Sequence, residues 1–336
     1  MYLSKISKQI FFKLLDTQKL SIYYYLITLF IVIYVYLLSI LILSYYTEGD
    51  QVDYTNFYNE SKYSEFKDVP ILALKHLQSF EPLSYYILWV GAKFNVSKII
   101  WISFLNCILG ILVFRYLVIN NVYFIAIFLI FTNFYLLGLF SCAERLKISY
   151  IFILIALCFN SFIRLFFFIL SPFAHLQSFI LLQSAIILSR KSFFKSLLRL
   201  KIKKFELITL IIFVLIFISF LSYYNEGLYL KFNSYLLKYD QSLFNTFNIF
   251  ILITLSFLIG IDKFTTIISL TPLIIFAYLF TGNRINMIAI TIFLFLVVES
   301  RKTKNPYFLL FLLYMSLKSI NFIYNIFIHN NGFYKG

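Results

Sequence analysis

The chain is a series of long hydrocarbon runs separated by short polar breaks. Apolar runs occupy residues 22–44, 99–119, 122–140, 148–159, 165–189, 205–222, 243–260, 264–280, 285–298 and 306–328. Several reach or approach the roughly 20 residues that a membrane-spanning helix needs. A shorter run, 83–94, follows Pro82, a residue suited to a first helical turn. Its length fits either a marginal span or a re-entrant segment. The ~10-residue alternating segments of a membrane β-barrel are absent from the sequence. The pattern predicts an all-α polytopic membrane protein of about 10–12 transmembrane helices, forming a single integral membrane domain over residues 1–336.

Composition agrees with this pattern. The chain is 62% hydrophobic, with a mean hydropathy of +0.89. Only 13% of it is charged, against about 25% in a soluble domain. The net charge of +15 raises the question of a nucleic-acid partner. The Lys and Arg residues instead fall in the short breaks, where the positive-inside tendency puts them, so no nucleic acid is expected. Residues 190–204 carry seven Lys or Arg and no acid, which predicts a cytoplasmic loop. The basic N-terminus (Lys5, Lys8, Lys13, Lys19) predicts the same side. External loops are then expected at about 45–82 and 222–242. The side of Arg145 depends on whether 83–94 crosses. The run 22–44 is too long for a signal-peptide core and lacks a small-residue cleavage site. Cys107, Cys142 and Cys158 have no metal or redox spacing and read as apolar fillers.

The acidic residues change the picture most. Seven of the chain's 14 lie in the first external stretch: Glu48, Asp50, Asp53, Glu60, Glu65, Asp68 and Glu81. No metal cluster, Gly-rich phosphate loop or nucleophile triad is present in the sequence. Chemistry is therefore expected without a metal or cofactor, from sparse charged residues at external helix ends. A carboxylate or histidine can act as general base toward a sugar hydroxyl. An arginine can hold a pyrophosphate through its planar fork and stays charged. The candidate bases are Asp50, Asp53, Glu81 and His175; residues alone do not rank them. Candidate substrate-binding residues are Arg145, Arg284, Asn283, Tyr54 and Arg164. Each also has a simpler reading. The loop acids can be solvated charges, Glu81 can sit at a helix N-terminus, and Arg145 and Lys147 can set topology. Arg164 can snorkel. His175 lies in an otherwise apolar run, and ionisable residues at membrane depth point to function. Pro172 predicts a kink beside it.

Five short elements occur in order. They are Asp50-Gln51-Val52-Asp53-Tyr54 with Tyr58 after the first span, Glu81-Pro82-Leu83, Glu144-Arg145, Phe173-Ala174-His175-Leu176-Gln177-Ser178, and Asn283-Arg284-Ile285. Together the arrangement resembles the EpsG/Wzy-type bacterial polysaccharide polymerases, over most of the chain. Leu146 stands where that family tends to have Gln, and Ala174 separates Phe173 from His175. The resemblance implies a membrane-embedded, metal-independent glycosyltransferase of GT-C-like architecture in the bacterial inner membrane. Its substrate would be an undecaprenyl-pyrophosphate-linked oligosaccharide, extended on the outer side, with a chain-length regulator protein as a partner. It gives Arg145 and Arg284 the pyrophosphate, and Asp50, Asp53, Glu81 or His175 the acceptor hydroxyl. A flippase or other transporter for the same lipid, and an O-antigen ligase or acyltransferase, remain alternatives.

Overall fold

The structure is a computed structural model, and it describes residues 2–159, 162–182, 244–279 and 282–333, with isolated positions between 215 and 229. The expected loop at 190–204 lies outside the described residues, and so, apart from those isolated positions, do the run 205–222 and the loop at 222–242. Every regular element among the described residues is an α-helix. The helices are α1 (Tyr2–Tyr45), α2 (Asp50–Ser61), α3 (Val69–Leu77), α4 (Pro82–Lys93), α5 (Lys98–Ile119), α6 (Phe124–Phe131) and α7 (Phe134–Ser141). After them come α8 (Glu144–Cys158), α9 (Phe162–Ala174), α10 (Phe244–Ile259), α11 (Lys263–Leu279), α12 (Gly282–Glu299) and α13 (Pro306–His329).

The chain is an α-helical membrane protein. By length and composition, three described helical stretches can cross a bilayer: Ile22–Tyr45, Lys98–Ile119 and Pro306–His329. The run 122–140 forms α6 and α7, bent by 44° at a break, and together they make a fourth candidate span. The break falls at Asn133, whose side chain accepts from Tyr135 N at 2.8 Å and so caps α7. Three shorter apolar helical stretches, Thr246–Ile259, Lys263–Tyr278 and Ile285–Glu299, join the bundle.

Hydrogen bonds sort the helix ends into two groups. At one end, the amides of Thr47 and Glu48, just past α1, donate to Asn330 O past α13 at 3.3 and 3.2 Å. There Lys98, opening α5, donates to Thr55 Oγ1 of α2 at 2.5 Å. Gln51 of α2 donates to Ser141 O, the last residue of α7, at 2.6 Å. At the other end, Tyr116 near the close of α5 donates to Glu299 of α12 at 3.4 Å. The amide of Tyr123, before α6, donates to Thr303 Oγ1, before α13, at 3.2 Å. The first group is called the acidic end below.

Residues 45–82, read from sequence as a polar loop, contain α2 and α3. Glu60 of α2 ties the two together: Lys75 Nζ donates to its two oxygens at 3.1 and 2.9 Å. His76 Nε2 stands 3.0 Å from the same carboxylate. The Lys75 and His76 hydrogen bonds hold the Glu60 carboxyl below its ordinary value of 4.5. A carboxyl lowered in the folded state stabilises it above the unfolded value and loses that contribution as pH falls. Amide exchange over α3 is therefore expected to speed up as pH drops from neutral through 4.5 and below, after correction for intrinsic exchange. Glu60→Gln should flatten that dependence.

α4 does not cross the bundle. Its 12 residues span about 18 Å, short of the ~30 Å hydrocarbon core. Both of its ends stay with the acidic end: Lys93 and Trp89 donate to Ser64 O at 3.2 and 3.4 Å, and Tyr58 of α2 donates to Val96 O at 3.0 Å. A helix this short does not fit the spanning reading of 83–94, and Arg145 lies at the same end as Glu81. Gly91 lets α4 lie against Trp101 of α5: a Cβ there would stand 2.4 Å from the indole ring. The ring is pinned by a 3.0 Å bond from its Nε1 to Ile87 O. Alanine gains up to about 1 kcal/mol of helix propensity over glycine. Overpacking of this kind costs roughly 1–3 kcal/mol. Gly91→Ala should therefore lower the thermal midpoint of the purified protein, and a rise would show that the indole can move away.

Candidate functional site

A buried polar network joins α2, α4, α8 and the segment after α9. Glu81 occupies the N-cap position of α4, but its side chain makes no cap bond to that helix. Pro82 at the first helical position leaves one fewer backbone donor there to satisfy. Ser84 Oγ donates instead to the Glu81 backbone carbonyl at 2.9 Å. The carboxylate is thereby released to point across the bundle. Arg145 Nη1 donates to Glu81 Oε2 at 2.9 Å. Ser79 Oγ donates to the same oxygen. On the other oxygen, His175 Nδ1 lies at 3.3 Å and the Leu176 amide donates at 3.5 Å. Glu81 and His175 are each 3% exposed and Arg145 is 8% exposed, so the ion pair is shielded from solvent.

His175 reaches this position because α9 stops. Pro172 lies inside the last turn of the helix, where it cannot donate to the fourth residue back. The helix ends at Ala174, and the chain turns at His175 before resuming helical geometry at Ser178. The kink expected near His175 is thus a full break, with the imidazole at it. Ser171 Oγ donates to Ser178 Oγ across the break at 3.0 Å, and His175 Nε2 lies 3.2 Å from Gln177 Oε1.

α2 forms two rungs onto the first turn of α8. Arg145 Nε donates to Tyr54 Oη at 3.2 Å. Gln51, one turn earlier, donates to Glu144 Oε1 at 2.9 Å. Burial pushes the Tyr54 phenol up, with Arg145 opposing more weakly, so the phenol keeps its proton and accepts from the guanidinium. Beneath lies a second ion pair, Lys147 Nζ to Glu144 Oε2 at 2.6 Å, with Lys147 fully buried and Glu144 1% exposed. Lys147 also donates to Phe140 O at 3.1 Å. That carbonyl accepts from Asn106 Nδ2 at 2.8 Å, and the same amide group lies 2.9 Å from Ser39 Oγ. In the sequence Lys147 reads, with Arg145, as a topology charge, and its pairing with Glu144 three residues earlier comes only from the structure. A lysine at the surface sets topology; this one is sealed in the bundle with its counter-ion.

The remaining candidates lie elsewhere. Asp50 and Asp53 are exposed in the first turn of α2. Arg164 donates to Ala156 O and Phe159 O at 3.2 and 3.3 Å, closing the far end of α8. That end is about 20 Å along the helix from Arg145. Asn283 and Arg284 lie in the first turn of α12, and their side chains fall outside the described residues. Tyr150 of α8 and Thr291 of α12 share a 2.7 Å hydrogen bond. Arg284 begins about two turns before Thr291 and Arg145 about one and a half before Tyr150. The two helices start at the same end, so the Arg284 backbone belongs to the acidic end. Among the described residues, no three of His, Cys, Asp and Glu gather in a metal-binding group.

No family model, curated protein or solved structure matches this chain. The resemblance therefore rests on the five short sequence elements alone.

Proposed function

We propose that the chain is a polysaccharide polymerase. It would join undecaprenyl-pyrophosphate-linked oligosaccharide repeat units by glycosyl transfer on the outer side of a bacterial inner membrane. One observation carries the reading. Glu81-Pro82, Glu144-Arg145 and the His175 element, picked out separately in sequence, meet in one buried network at the end of the bundle that the charge pattern places outside. In this reading Glu81 orients His175 through Nδ1, and the imidazole takes the proton of the acceptor hydroxyl. Arg145 pairs with Glu81, and the carboxylate faces the imidazolium that forms. Arg284 is the cation for the leaving pyrophosphate.

The test is a gel of surface polysaccharide from a deletion strain complemented with wild type or His175→Ala, with membrane protein level matched. Wild type should restore the ladder. His175→Ala should leave mainly single repeat units, as a positioned base contributes about 10²–10⁴-fold. A full ladder from His175→Ala would remove the histidine from the mechanism. If the deletion loses the single-repeat product too, with subunits held on the lipid carrier inside, the chain is a flippase instead.

A further inference from the structure

His175 has a partner on each ring nitrogen. Nδ1 faces Glu81 Oε1 at 3.3 Å, and Nε2 faces the Gln177 carboxamide at 3.2 Å. Residues two apart on a helix do not face each other. These two meet because α9 has ended at Ala174. The Ser178 amide donates to His175 O at 3.0 Å, closing a tight turn that contains both. The imidazole is buried, whereas Gln177 is half-buried. Gln177 is therefore the more accessible of the pair, and its carboxamide covers Nε2.

Charge decides how many protons the ring carries. Glu81 is the carboxylate that faces the ring, and Arg145 already pairs with it at 2.9 Å. A doubly protonated ring would place a second buried cation on the same carboxylate, and an unbalanced buried charge is expensive. The neutral ring carries one proton. The carboxylate can only accept, so that proton belongs on Nδ1. Nε2 then holds a lone pair and calls for a donor. The carboxamide supplies one from its NH2 end, since its two ends have the same outline and exchange by a half-turn. Glu81 and Gln177 thus select the same tautomer from opposite edges of the ring. Nε2 is also the nitrogen that takes the acceptor proton in the function proposed above, and only this catalytic consequence rests on that reading. Gln177 must leave Nε2 before a hydroxyl can reach it, at the loss of one neutral hydrogen bond.

We propose that Gln177 is the positioning residue of His175: its carboxamide donates to Nε2, fixes the tautomer and covers that nitrogen until an acceptor hydroxyl displaces it. The test uses the full chain in bilayers with His76→Gln and His329→Gln, which leaves His175 as its one histidine. Nitrogen NMR of the histidine-labelled protein should show a proton on Nδ1 and a bare Nε2. Gln177→Glu has nearly the same size and shape but can only accept, so its spectrum should show protons on both nitrogens. A residue that merely filled the turn would leave the two spectra alike. The second measurement is acylation by diethyl pyrocarbonate, which attacks an imidazole nitrogen that carries no proton. Gln177→Ala should speed it at His175 about two- to tenfold, the range for one lost hydrogen bond. Two protons on the ring with Gln177 in place, a proton on Nε2 alone, or an unchanged spectrum in Gln177→Glu would each overturn the proposal. So would unchanged acylation in Gln177→Ala. If spectra and acylation come out as expected but Gln177→Glu restores a full polysaccharide ladder, Gln177 still positions His175, and the catalytic reading of the histidine falls.

Discussion

Arg145→Ala is expected to destabilise the folded protein by about 3–5 kcal/mol and, if the chain is the polymerase proposed above, to abolish chain extension. The substitution leaves Glu81 3% exposed without its arginine, and a buried carboxylate that loses its counter-ion bears the full desolvation penalty. Ser79 Oγ, His175 Nδ1 and the Leu176 amide still face it, which keeps the effect short of complete unfolding. A second variant separates stability from chemistry. Arg145→Met combined with Glu81→Gln removes both charges and roughly keeps volume, at the loss of the Arg145 bond to Tyr54. Its thermal midpoint in detergent should recover to near wild type, because replacing a buried ion pair with neutral groups is often without net effect. Its polysaccharide ladder should stay lost, because His175 no longer faces a carboxylate. A stable double variant that makes polymer would show that the pair is architectural. A double variant as unstable as Arg145→Ala would show that the network depends on charge itself.

The Glu144–Lys147 pair should give the second large effect. Glu144→Ala or Lys147→Ala alone should each destabilise by about 3–5 kcal/mol, because either leaves a fully desolvated charge. The joint variant Glu144→Leu with Lys147→Met should cost far less than the sum. Phe140 O keeps its bond from Asn106, and Gln51 keeps its bond to Ser141 O, so few polar groups are orphaned. Strong coupling in a double-mutant cycle is therefore expected. Additive losses would mean that the two side chains are not partners in the membrane. Because Glu144 also anchors Gln51, and with it α2, the single variants should disturb Tyr54 and Arg145 one rung away.

The helices themselves were legible in the sequence. The runs 99–119, 243–260 and 306–328 match α5, α10 and α13 to within a residue or so, because continuous hydrocarbon leaves a backbone no solution in lipid other than the helix. Pro82 marked the start of α4 for a local reason, its preset φ and missing donor. Where the polar residues were mixed, the reading was weaker. Residues 45–82 looked like a loop because α2 carries its acids on one side. Its buried face of Gln51, Tyr54, Phe57 and Tyr58 is only partly apolar, so no clear stripe betrays the helix.

The sequence by itself determined that this is a helical membrane protein, where most of the described apolar helices lie, and which few polar residues deserved notice. Hydrophobicity, chain stiffness and turn chemistry act over a handful of neighbouring residues, and they can be read in order. Only the tertiary structure decided that Glu81, Arg145 and His175 share a network while Arg164 closes a helix elsewhere. Those residues are separated by 64 and 94 positions, and their meeting depends on a helix that turns back and another that breaks. The same holds for Lys147, whose sequence neighbourhood suggests a surface charge. What buries it is the packing of α7 and α8, and what makes that burial tolerable is a carboxylate one helical turn away.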